Sequence, residues 1–125
     1  MFTEKMSRKT LVIGSSLNES RYSNIAIHKL KANNHFVEAI GLTKGTIGDV
    51  IVNTEMVMFE NIDTITLYLS PLNQKKFYNY VVNLKPSRVI FNPGTENKEL
   101  ENILEQNGIK IEIACTLVLL STNQY

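Results

Sequence analysis

Leu11, Val12 and Ile13 form an unbroken apolar run, the pattern of a strand covered on both faces of its sheet. It predicts a first strand over 9–13, ended by Gly14. Residues 35–40 and 50–52 read as a second and a short third strand. The segment 63–69, rich in Thr, Ile, Leu and Tyr, is strong strand material, and 87–91 follows it. Between these runs the apolar period changes to that of helices. Ile25, Ala26, Ile27 and Leu30 mark a helix that starts near Ser23 and stops at Asn33 and Asn34. Ser70 and Pro71 read as an N-cap and first helical residue, and Phe77, Tyr80, Val81 and Leu84 share one face of the helix behind them. A third helix over 96–107 turns Leu100, Ile103 and Leu104 inward and stops at Gly108. Residues 109–113 alternate apolar side chains with Lys110 and Glu112, as an edge strand does, and an apolar segment, 115–120, closes the pattern. Gly41, Gly45 and Gly48 predict a loop over 41–49, and 54–61 is open between a loop and a single helical turn.

Strands alternating with helices at this spacing predict right-handed crossovers and an α/β fold. The expectation is a Rossmann-like, mainly parallel sheet of about five or six strands with helices on both faces, a three-layer α/β/α domain. One domain spans 1–125, with 1–8 as a loose leader. In such sheets ligands bind outside the carboxyl ends of the strands where the order reverses, so residues 14–23, 69–71 and 92–95 should converge on one cleft.

Composition narrows the classes. A chain of 125 residues with 43% hydrophobic content can bury a full core without staples, and its single cysteine, Cys115, fits a reducing compartment. The charged N-terminal stretch lacks the apolar core of a signal peptide, and no run of about 18 apolar residues predicts a membrane span. The expected setting is cytoplasmic. A formal charge of +1 gives no footprint for nucleic acid, and the basic pairs at 8–9 and 75–76 read as solvated. His28 and His35 have no second ligand at metal spacing, and Cys115 reads as a packed thiol. Tyr68, Tyr78 and Tyr80 read as core or boundary aromatics, and Glu55, Glu60 and Asp63 form no pair for acid–base work.

The chemistry concentrates behind the first strand. Gly14 is followed by Ser15, Ser16, Asn18, Ser20 and Ser23, small polar residues that turn easily and offer hydroxyls and N–H groups to an anion. Arg21 adds a fixed charge with a fork of donors, and Ser23 would cap a helix whose positive end faces the same place. The stretch predicts a phosphorylated ligand, a nucleotide above all. A dinucleotide fingerprint would need glycines where Ser16 and Glu19 stand, and an acid at the end of the second strand, which reads Ala39, Ile40, Gly41. Lys44 follows instead, suited to a ribose phosphate, and no P-loop occurs.

The runs VIGSSLNESRYSNIAIHKL (12–30), DTITLYLSP (63–71), IFNPGTENKEL (90–100) and ACTLVLL (114–120) together resemble the small bacterial CoA-binding proteins. These are stand-alone relatives of the CoA-binding domain of the succinyl-CoA synthetase alpha subunit. The resemblance implies that Gly14, Ser15 and Ser16 approach the CoA diphosphate and that Ser20, Arg21, Tyr22 and Ser23 complete the loop. It places Lys44 near the adenosine ribose phosphate, and Ser70, Pro71, Asn92, Pro93 and Gly94 along the pantetheine arm. Many relatives carry an asparagine–proline–lysine turn after strand two, where this chain has Gly41, Leu42, Thr43 and Lys44. The expected function is to bind coenzyme A or an acyl-CoA with no catalytic residues, no metal and no chemistry of its own; a protein partner or a homodimer is compatible with it. The alternatives are a small NAD-dependent enzyme and a Rossmann-shaped interaction domain without ligand.

Overall fold

Residues 7–125 are described by the computed structural model; 1–6, most of the expected leader, lie outside them. Arg8, the last leader residue, is tied down: its N–H donates to His35 Nδ1 at 2.9 Å and its guanidinium to Asp63 at 3.2 Å. Among the described residues seven strands build one sheet: β1 (Thr10–Ser15), β2 (Val37–Gly41), β3 (Gly45–Ile47), β4 (Val50–Asn53), β5 (Thr64–Leu67), β6 (Arg88–Phe91) and β7 (Lys110–Ile113). Their order is β3-β4-β2-β1-β5-β6-β7, parallel throughout except for the β3–β4 pair. Counted on the parallel strands alone, this is the Rossmann order, which reverses across β1, the strand flanked by β2 and β5.

The strand beyond the expected five or six is β3. The glycine-containing segment read as a loop folds back as a hairpin, with Gly48 at φ 60 in its tight turn. No helix links β2 to β4. The segment 54–61 forms no helical turn and runs irregularly, fastened by a hydrogen bond from the Tyr80 hydroxyl to the Val57 carbonyl.

Side chains alternate across the sheet and divide the core in two. Leu11, Ile13, Ile65, Leu67, Val89 and Phe91 pack on the side of α3 (Tyr78–Leu84) and α4 (Lys98–Gln106). Val12, Ala39, Val52 and Ile90 pack on the side of α1 (Tyr22–Ala32) and α5 (Thr116–Ser121). The three-layer expectation holds, and Phe77, Tyr80, Val81 and Leu84 form the buried face predicted for their helix. That helix is broken: α2 (Pro71–Gln74) passes through a 3-10 turn, Lys75–Phe77, before α3 begins.

Several boundaries differ for local reasons. Strand β1 runs past Gly14 to Ser15, with a register shift between Ile13 and Ser15. Helix α1 starts at Tyr22 with Arg21 as its N-cap, so Ser23 lies buried in the first turn and is not the cap. Asn34 takes the left-handed turn at φ 66, and the His35 N–H bonds to the Leu30 carbonyl, which delays β2 to Val37. Helix α4 begins at Lys98 because Asn97 caps it, accepting from the Leu100 N–H while the Asn97 N–H donates to Glu101. Among the described residues no helix is long and apolar enough to cross a membrane.

Candidate functional site

The carboxyl ends of β1, β2, β4, β5 and β6 open onto one cleft of about 960 Å³. Its floor is the β1 bulge. Gly14 sits at φ 96, and a Cβ there would fall 2.8 Å from the Tyr68 carbonyl oxygen. Only glycine lets the chain turn off β1 while lying against β5. Gly41 meets the same demand from the other side, since a Cβ would collide with the Ser15 carbonyl oxygen.

Above the floor, Asn18 organises the loop. Its Oδ1 accepts from the Ser20 N–H at 3.0 Å and the Ser20 hydroxyl at 2.8 Å, and its own N–H donates to Ser16 Oγ at 3.1 Å. Asn24, buried in α1, donates to the Ser16 carbonyl at 2.9 Å and holds the loop to the helix. Tyr22 and Ser23 line the cleft, and their N–H groups precede the first helical hydrogen bond, from the Asn24 N–H to the Arg21 carbonyl. Arg21 lines the cleft too, exposed and with no carboxylate at ion-pair distance among the described residues.

The opposite wall is Ser70 with α2 on one side and Pro93, Gly94 and Thr95 on the other. A buried amide ties the two together. Gln74, fully buried, donates to the Leu69 carbonyl at 2.9 Å and the Thr95 carbonyl at 2.8 Å, and accepts from Asn97 at 2.9 Å. Thr95 turns its hydroxyl back to the Asn92 carbonyl at 2.8 Å.

Of the residues singled out in the sequence, Gly14, Ser15, Ser16, Arg21, Tyr22, Ser23, Ser70, Pro93 and Gly94 line this cleft. Ser15, however, spends its hydroxyl on the Val12 carbonyl at 2.9 Å. Four residues do not line it. Ser20 faces Asn18 within the loop, and Pro71 is exposed at the first position of α2. Lys44 is exposed beyond Leu42 and Thr43, which do line the cleft. Asn92 is buried, donating to Thr66 Oγ1 and the Leu67 carbonyl and accepting from the Thr116 N–H, so it joins β5, β6 and α5.

Lys76 is exposed, as read in the sequence, and lies on the cleft wall as well, a role its place in a basic pair did not announce. Arg21 and Lys76 are the charged residues on the lining, which includes no carboxylate among the described residues. Tyr68, also on the lining, has its phenol pushed up to about 12 by burial, and it stays neutral at physiological pH. Among the described residues no three His, Cys, Asp or Glu side chains come together as metal ligands would.

A solved structure described as an uncharacterized protein is similar over 97% of this chain and 100% of its own, with 45% identity and a TM-score of 0.94. A hypothetical protein from Pyrococcus horikoshii OT3 matches 93% of this chain and 83% of its own at 17% identity, TM-score 0.84. The cell-free ID.343 protein from Thermus thermophilus matches 94% and 91% at 18% identity, TM-score 0.83. These last two share the fold. No functionally curated protein matches the sequence. The sequence model of the CoA binding domain matches residues 8–121, nearly the whole described chain. With that match the chain belongs to the CoA-binding domain family, as the resemblance in its motifs implies.

Proposed function

We propose that the chain binds coenzyme A, free or acylated, in the cleft at the carboxyl edge of its sheet and performs no chemistry of its own. The observation that carries this reading is the charge of the lining: Arg21 and Lys76 face a cleft with no carboxylate among the described residues, beside the open N–H groups at the head of α1. Such a site favours an anion over a neutral ligand, and a helix head with an arginine at its N-cap suits a diphosphate. In this pose the diphosphate sits on the 14–23 loop, the adenosine lies toward Leu42 and Thr43 with Lys44 at the ribose phosphate, and the pantetheine arm runs past Ser70, Pro93 and Gly94. A dinucleotide would want an acid at the end of β2 for its ribose hydroxyls, and the cleft has Gly41 and Leu42 there. The setting that goes with this reading is a bacterial cytoplasm, where Cys115 stays reduced.

Calorimetric titration of the ligand-stripped protein tests it, with CoA, dephospho-CoA, NAD and ATP on one preparation. Micromolar CoA affinity, about −8 kcal/mol, with weaker dephospho-CoA and little NAD is the expected result. NAD binding without CoA binding would overturn it in favour of a dinucleotide enzyme. Silence from all four would leave an interaction domain.

A further inference from the structure

Strand β7 closes one end of the sheet, and among the described residues no strand pairs with its outer side. Its inner side is fixed by β6. The Lys110 N–H donates to the Ser87 carbonyl and the Ala114 N–H to the Phe91 carbonyl, with Lys110 beside Arg88 and Glu112 beside Ile90. In a parallel pair these bonds come from alternate residues, so Lys110, Glu112 and Ala114 turn their peptide groups inward, and Ile109, Ile111 and Ile113 turn theirs outward. The Ile109 N–H is taken by the Leu104 carbonyl at the end of α4. The outer edge therefore offers the N–H groups of Ile111 and Ile113 and the carbonyls of Ile109, Ile111 and Ile113.

Exposed edges are commonly blunted by proline, by a covering loop or by charges that repel a partner. This edge has no proline, Ile113 is 53% exposed, and its two charges have opposite sign. The segment Ile109, Lys110, Ile111, Glu112, Ile113 is complementary to its own reverse. In an antiparallel pair of two copies, outward residues must meet outward residues, which leaves three central registers. Ile109 opposite Ile111 sets Lys110 against Lys110. Ile111 opposite Ile113 sets Glu112 against Glu112. Only Ile111 opposite Ile111 places Lys110 across from Glu112 at both ends, with Ile109 across from Ile113, and opposite charges attract across a strand pair where like charges repel. Arg88 holds one Glu112 oxygen at 2.9 Å, and the other can accept the incoming ammonium.

We propose that β7 is a docking surface for a second copy of this chain, paired antiparallel about Ile111 so that one sheet runs through both copies. Reversal of strand direction at the junction puts the two clefts on opposite edges of the joined sheet, and neither copy obstructs the other's.

Sedimentation velocity of the full chain, from micromolar to sub-millimolar concentration, reads this directly. The expected result is a reversible monomer–dimer equilibrium. Lys110→Glu changes an exposed residue that has no ion pair among the described residues and sets acid against acid twice across the axis. Ile113→Pro removes an outward N–H that β6 does not use. Each should weaken the dimer about tenfold or more, with circular dichroism reporting an unchanged monomer fold. Should the proline variant fail to fold, the charge reversal decides alone. A wild-type chain that stays monomeric overturns the proposal. So does a dimer that survives both changes, which would place the contact on another face, such as the β3 edge. A dimer weakened by the proline and indifferent to the charge reversal would overturn the register.

Discussion

Replacing Gln74 by leucine keeps the side-chain volume nearly constant and removes three hydrogen bonds from a site that water does not reach. The amide bridges the Leu69 and Thr95 carbonyls at 2.9 and 2.8 Å and accepts from Asn97 at 2.9 Å. Each buried bond contributes about 1 kcal/mol net, about 3 kcal/mol for the set. Two carbonyls left without donors add about 1–3 kcal/mol each, though backbone shifts relieve part of this. Against that, leucine gains about 1.5–3 kcal/mol of apolar burial over an exposed reference. The balance is a loss of about 2–4 kcal/mol, which for a domain of this length lowers the melting temperature by roughly 10 °C. Urea denaturation gives the free energy, and calorimetry with CoA gives the second readout. Because Leu69 precedes Ser70 and Thr95 follows Gly94, CoA affinity should fall with stability, about tenfold. A change below about 0.5 kcal/mol with unaltered CoA binding would refute the claim that this amide holds the two cleft walls together.

Arg21→Ala should weaken CoA by about 1.5–3 kcal/mol through loss of a charge-assisted contact, and Lys76→Ala should weaken it in the same direction; unchanged titrations for both would displace the diphosphate from this end of the cleft. Lys44→Ala should affect CoA more than dephospho-CoA, and equal losses would remove Lys44 from the ribose phosphate. Gly14→Ala places a Cβ at φ 96 against the Tyr68 carbonyl and should cost about 2–4 kcal/mol in urea, since both backbone and neighbour must give. Burial raises the Asp63 carboxyl, but hydrogen bonds from Thr64 and Arg8 and the charges of Arg8 and Arg88 outweigh it and hold it below its ordinary 3.8. The unfolded chain then binds the extra proton, so this contribution is present above pH 3.8 and is lost as pH falls through the lower folded value; Asp63→Asn should flatten that part of the acid denaturation curve. Tyr68 and Tyr80, pushed up to about 12 chiefly by burial, should ionise late in an absorbance titration, and a single wave near 10 would contradict their burial.

Strands β1 and β6 were legible because strands buried on both faces leave short continuous apolar runs, and β5 because its Thr, Ile and Leu are strand-forming types. Strand β3 was not. Thr46 and Ile47 are strand-forming types, but two such residues between Gly45 and Gly48 are too short a run to show a period, and they pair because the Gly48 turn lays them against β4. The glycine loop behind β1 announced the site by composition. The opposite wall gave a weaker signal, since the role of Gln74 depends on carbonyls on either side of it in the chain, at 69 and 95, which only the packed structure brings together. Lys76 was legible only as half of an exposed basic pair, because nothing in the sequence says that the start of its helix lies beside the glycine loop behind β1. Asn92 stood in a turn motif and proved to be a clamp among three elements, a role that its neighbours in sequence do not encode.

The Tyr125 hydroxyl meets Thr10 Oγ1 at 2.6 Å across a separation of 115 residues, and its carbonyl accepts from Arg88 at 3.2 Å. On the ribosome this has a cost in time. Strand β1 leaves the exit tunnel early, yet it is the middle of the sheet. It can pair with β2 once residue 41 has emerged, but its other flank waits for β5, and the cover over Leu11 and Ile13 waits for α3 and α4. The amino end of β1 stays unlatched until Tyr125 is free to reach it. Until then a nascent chain presents a half-built sheet with one apolar face bare, the kind of transient surface that is prone to aggregate. The arrangement predicts that β1 gains its second flank and its cover together, only after α4 has emerged, and that the Tyr125 latch closes after both.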